Sequence, residues 1–97
     1  MKSVFIAYDQ AFFDQILSIL RGNNVRGFSS WKEVQGRGSH TGDPHLGTHS
    51  WSSLNGAMLT VVEDDRVDGL LRDLKALDLT SEQMGLRAFV WNVEKMI

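Results

Sequence analysis

Residues 36–53 read G-R-G-S-H-T-G-D-P-H-L-G-T-H-S-W-S-S. The stretch holds all three histidines, the only proline and four of the nine glycines. A segment this polar and glycine-rich cannot fill a core, and it is far longer than the roughly 2–6-residue connections usual in compact domains. Such a length points to a functional loop or to local disorder, and the stretch reads as an exposed loop between two strands. The chain on either side is apolar and periodic, so this reading sets the order of the remaining elements.

Working outward, residues 25–35 predict a strand entered through Arg26-Gly27. Phe28, Trp31 and Val34 break strict alternation there, which implies a bulge or an irregular start. Residues 54–62 (L-N-G-A-M-L-T-V-V) predict the next strand, with Gly56 marking a bulge or a close approach by another backbone or a ligand. Residues 2–8 (K-S-V-F-I-A-Y) form a short buried strand, because β-branched and aromatic side chains dominate it.

Asp9 can then cap a helix whose apolar face is Phe12, Phe13, Ile16, Leu17 and Leu20, at the 3.6-residue period. Phe12 and Phe13 read as core rather than as a ligand-stacking pair. Gly22-Asn23-Asn24 stops the helix, since Gly and Asn tolerate a left-handed end. Glu63-Asp64-Asp65 puts negative charge at the start of a second helix, where it offsets the dipole and serves as a cap rather than a metal site. Val67, Leu70, Leu71, Leu74 and Leu77 supply its stripe. Gly69 interrupts it, either as a tolerated outer glycine or as a close helix contact. Thr80-Ser81-Glu82-Gln83 resembles a capping box for one further turn, and residues 86–93 (L-R-A-F-V-W-N-V) are the last strand.

The order is β-α-β-β-α-β, which predicts an α+β ferredoxin-like sandwich: a four-stranded antiparallel sheet with two helices on one face, in a single domain over 1–97. Phe, Trp, Met and Val occupy both registers of the strands, so the second sheet face is apolar too. Burying it requires other chains, and a closed oligomer is expected. Trp31 and Trp91 fall in the sheet or an interface, and Trp51 is placed to anchor a partner from the loop.

Composition narrows the function. An apolar fraction of 42% suits a globular chain, and a formal charge of −2 offers no general attraction to nucleic acid or anionic lipid. There is no cysteine, hence no disulfide or thiol chemistry. No apolar run approaches the roughly 20 residues that span a bilayer. The apolar stretch before Asp9 is too short for a secretory signal, so a cytoplasmic location is expected. The strands lack the basic interleaving of an RNA-binding sheet of the same strand order.

Taken together, these residues resemble the PII family of nitrogen-regulatory signalling proteins and their shorter PII-like relatives. N-N-V-R-G-F-S (23–29) is similar to the family's G-V-x-G-[LMF]-[TS], and W-K-E-V-Q-G-R-G-S (31–39) to its x-x-x-V-x-G-x-G-x. L-T-V-V-E-D-D-R-V-D-G-L-L (59–71) follows V-V-x-D-[DE]-x-V-x-x-[VI]-[IL]. G-L-R-A-F-V-W-N-V-E (85–94) follows G-[KR]-I-F-V-x-x-[VI]-E with one residue added. The resemblance covers nearly the whole chain and puts 36–53 where the family has its T-loop.

It implies a homotrimer whose leftover sheet faces line the centre, with an adenine nucleotide such as ATP, ADP or AMP in clefts between subunits. It also implies a protein partner, a membrane transporter or an enzyme, met through the loop. Carried over by position, Gly27, Phe28 and Ser29 sit beside the nucleoside, and Gly36, Arg37 and Gly38 approach the phosphates. Gly85 with either Leu86 or Arg87 comes from the entrance to the last strand. The family's lysine after that glycine is Leu86 here, unless the added residue moves Arg87 into its role. The two arginines the family carries beyond its last strand have no counterpart before Ile97. The modified tyrosine of the long T-loop is also missing, the only tyrosine being Tyr8, so signalling through that modification is not expected.

Apart from the resemblance, Gly36-x-Gly38 can offer backbone N–H groups to an anion, with Arg37 adding a bidentate fork. There is no P-loop. His40, Asp43, His45 and His49 supply nitrogen and carboxylate donors suited to zinc, copper or nickel, although spacings of five and four match no standard site. The plainer reading is a solvated loop with free histidines. A serine–histidine pair such as Ser39, Ser50 or Ser52 with His40 lacks an elbow motif and an acid partner, so no catalysis is expected. The leading expectation is a non-catalytic, PII-like regulator needing no cofactor. A metal-responsive module and a trimeric adaptor with no ligand are the alternatives.

Overall fold

The computed structural model describes residues 1–36, 54–81 and 85–97. Strand β1 spans Lys2–Asp9, and the Asp9 carboxylate accepts a hydrogen bond from the Ala11 amide at 2.9 Å, starting a 3-10 turn. That turn runs into helix α1, Phe13–Gly22. Asn24, at φ 58°, takes the left-handed position that ends it, one of the roles foreseen for the Gly-Asn-Asn run.

Strand β2 spans Ser29–Val34 and β3 Asn55–Val62. β2 is shorter than the sequence predicts: Val25 is buried in the core instead, and the chain reaches the sheet only at Ser29. The expected irregularity is a register shift between Trp31 and Val34. After a 3-10 turn at Asp64–Arg66 comes helix α2, Val67–Asp78, and then β4, Arg87–Asn92. The Thr80 hydroxyl donates back to the Leu77 carbonyl at 2.7 Å, closing α2, while the further turn expected after it falls on residues outside those described.

The sheet order is β2-β3-β1-β4, all pairs antiparallel, so the fold is the ferredoxin-like α+β sandwich expected from the βαββαβ order. Period-2 alternation divides the strands into two faces. Val4, Ile6 and Tyr8 of β1 and Met58 of β3 point to the helices and meet Ile16 and Leu20 of α1 and Leu70 and Leu74 of α2. Each fully buried aliphatic side chain of this set contributes about 1.5–3 kcal/mol.

Two glycines admit close contacts. A side chain at Gly56 would overlap the Tyr8 ring, so the approach foreseen there is that of the chain's own aromatic. At Gly69 a Cβ would lie 2.7 Å from the Asn23 side-chain oxygen. Asn23 in turn donates to the Ile19 carbonyl at 2.9 Å and the Asp73 carboxylate at 2.8 Å, which ties the end of α1 to α2. Gly69 is therefore a close helix contact.

Candidate functional site

The sheet face opposite the helices is apolar and open. Trp31 is 48% exposed, Phe89 56% and Trp91 49%, and they share that face with Phe5, Leu59 and Val61 through the paired registers. Both tryptophans lie in strands of the sheet, as expected, and in the single chain each keeps about half of its surface exposed. Exposed aromatics grouped on one face mark an interaction surface.

At one end of this face lies a cleft of about 480 Å³, beside Gly36 and Asn55. Phe5 and Phe89, cross-strand partners on β1 and β4, form part of its wall. Gly36, Asn55, Gly85 and Arg87 supply the polar rim. Asn55 is only 8% exposed, and among the described residues no hydrogen bond reaches its side-chain amide. A side chain at Gly36 would collide with that amide, so glycine is what lets the strand leave beside it. Arg87 is the only charged side chain among the described residues of the cleft.

The turn into β4 decides which side chain reaches this cleft. Gly85 sits at φ 59°, the left-handed region that favours glycine. The next residue, Leu86, is 6% exposed in the helix-side core, and its amide donates to the Asp78 carboxylate at 3.0 Å. Alternation then turns Arg87, paired with Ala7, to the open face. Of the two candidates at this position, Leu86 goes to the core and Arg87 to the cleft.

No family model matches the chain, and no curated protein matches it. Solved structures do. The ADP- and bicarbonate-bound CPII of Thiomonas intermedia K12 superposes with a TM-score of 0.74 over 93% of this chain and 82% of its own, at 20% identity. The same protein bound to ADP, AMP and bicarbonate gives 0.73 over 97% and 88%, at 17% identity. A PII-like signalling protein of Thermus thermophilus gives 0.69 over 95% and 85%, at 18% identity. The fold is that of PII-like proteins.

Within this PII-like fold the expected site residues divide into two groups. Gly36, Gly85 and Arg87 come together in the cleft. Gly27, Phe28 and Ser29 lie elsewhere: the Gly27 carbonyl accepts from the Thr60 hydroxyl at 2.5 Å, and Ser29 pairs with Leu59. Asn55 beside Gly36 and Thr60 beside Gly27 are about 16 Å apart along β3, at about 3.3 Å per residue. Phe28, 42% exposed, borders a separate groove with Arg21, Arg26 and Leu17. One chain therefore does not bring the two groups around one ligand.

Arg37, Gly38, His40, Asp43, His45, His49 and Trp51 lie outside the described residues, and with them the proposed metal set. Among the described residues no cluster of three or more metal-ligating side chains occurs, and no helix is long and apolar enough to cross a membrane. The sequence reading missed Phe5, Asn55 and Phe89 as cleft residues. The signal was present in the strand period, since Phe89 lies two residues from Arg87 and pairs with Phe5.

Proposed function

We propose that the chain is a non-catalytic PII-like regulator. It forms a homotrimer through the open sheet face, senses an adenine nucleotide in clefts shared between subunits, and signals to a protein partner through the 36–53 loop. One observation carries this reading: the cleft and the unpartnered aromatic surface occupy the same sheet face. The face that needs a second chain is the face that holds the site.

The division of the site residues fits the same arrangement. Gly36, Gly85 and Arg87 of one subunit would meet Gly27, Phe28 and Ser29 of the next, which single-chain geometry keeps apart. The cleft suits the ligand class. Its aromatic wall offers a flat apolar surface for a base, and Arg87 offers a bidentate fork to a phosphate. The ADP-bound state of the Thiomonas protein supports that choice. Affinity should be modest, because a single described cation serves a highly charged group. Nucleotide binding would order the loop at its base and change which surface it presents to a transporter or enzyme in the cytoplasm.

Calorimetry with ADP tests the reading. Loss of the Arg87 fork removes charge-assisted hydrogen bonds, so Arg87→Ala is expected to weaken binding by about tenfold or more. Tight binding untouched by Arg87→Ala would refute the assigned phosphate contact. Absence of any binding by an intact trimer would leave an adaptor.

A further inference from the structure

A second cavity lies on the other side of the sheet, where α1 begins and leaves the edge strand β2 uncovered. It measures about 340 Å³ and is lined by Tyr8, Gln10, Phe13, Ser30 and Lys32. Ser30 and Lys32 alternate with Trp31 and so project to the helix side of β2, away from the open aromatic face. The Gln10 side chain donates to the Lys32 carbonyl at 2.8 Å, fixing one rim of the cavity to the strand. The Tyr8 and Phe13 rings, 6.5 Å apart and tilted by 32°, form an apolar wall.

Two features of this lining call for a ligand. Tyr8 is 1% exposed, yet among the described residues no hydrogen bond reaches its hydroxyl. A buried hydroxyl without a partner is costly, and such groups mark places where another molecule completes the bonding. Among the described lining residues Lys32 is the single cation, and none is a carboxylate. The described lining thus offers one cation, three further polar groups and an aromatic wall.

We propose that this cavity is a second ligand site, distinct from the nucleotide cleft, that takes a small organic monoanion: a carboxylate on an aromatic or branched apolar body. The carboxylate would take a charge-assisted hydrogen bond from Lys32 and another from the Tyr8 hydroxyl. The apolar body would lie against the rings of Phe13 and Tyr8. Burial raises the Tyr8 pKa above its ordinary 10.0, so its hydroxyl stays protonated and available as a donor at neutral pH. The volume sits at the low end of ligand pockets, which suits a single ring or a short branched chain. Because Gln10 and Lys32 join the turn before α1 to β2, and β2 ends at Val34, occupancy would stiffen the strand that precedes residues 36–53.

Titration of the full chain with sodium benzoate, followed by amide NMR shifts, tests the proposal, with benzamide as the neutral counterpart. Benzoate is expected to give saturable shifts at Gln10, Phe13, Ser30 and Lys32 in the millimolar range or below, and benzamide to bind about tenfold more weakly or worse. Lys32→Gln should cut benzoate affinity about tenfold without changing benzamide, and Tyr8→Phe should cut it severalfold. Lys32 lies on an edge strand outside the core, so its variant is expected to fold. Arg87→Ala should leave benzoate binding unchanged, which separates this site from the cleft whatever that cleft binds. Equal binding of the two probes, binding insensitive to Lys32→Gln, or no saturable shift at these residues would overturn the proposal.

Discussion

The two faces of the sheet are made of similar residues and end in opposite conditions. On the helix side, Ile6, Met58, Leu70 and Leu74 have no more than 1% of their surface exposed. On the other side, Trp31, Phe89 and Trp91 keep about half of theirs. Both faces derive from the same alternation, yet one is completed within the chain and the other is not. An apolar surface of this kind marks an interaction surface, and the cleft lies at its edge.

The largest contrast should appear when the faces are truncated in turn. Leu70→Ala removes a fully buried side chain and is expected to cost about 2–5 kcal/mol in denaturant unfolding. Phe89→Glu on the open face should leave the far-ultraviolet circular dichroism of the protomer intact while dissociating the assembly. Sedimentation velocity reads the second effect, and an unchanged assembly would show that the aromatic face is not the interface.

A smaller effect sharpens the account of the completed face. Gly69→Ala would ordinarily stabilise a helix by about 1 kcal/mol. Here the added Cβ displaces Asn23, which joins α1 to Asp73, so a net loss of about 1 kcal/mol is expected. In an Asn23→Ala background the same substitution should become stabilising. Stabilisation by Gly69→Ala in the unaltered chain would break the proposed helix lock.

The smallest effect is a titration. Tyr8 is the only tyrosine, so absorbance near 295 nm reports it alone. Burial favours its neutral form, raising its pKa in the folded chain above 10.0. Its contribution to stability is therefore complete below the unfolded value and is lost as pH rises through the folded one. An ordinary midpoint in the native protein would mean that the hydroxyl is solvated.

Much of this architecture was legible in the sequence because it rests on local periods. The 3.6-residue spacing of Ile16, Leu17 and Leu20 and the capping role of Asp9 are visible in the chain itself; β1 and α1 form there, although Asp9 caps a 3-10 turn and α1 proper starts only at Phe13. The start of β2 was not legible. Val25 is β-branched and reads as strand, but its side chain serves the core while the backbone is still leaving α1. Position 86 could not be decided from motif alignment, since one added residue reverses which side chain faces the cleft. Only the left-handed turn at Gly85 and the pairing of Arg87 with Ala7 give the phase. The cavity under α1 left no sequence signal, because Tyr8, Gln10, Ser30 and Lys32 meet only through the β1–β3–β2 order.

The central claim is that the open face is sealed by sister chains and that the cleft is completed by them. Native mass spectrometry at micromolar concentration, with and without ADP, tests it most directly. The account predicts a species of three chains that takes up to three nucleotides. A monomer in both conditions, with Trp31 and Trp91 still accessible to a collisional quencher, would contradict it.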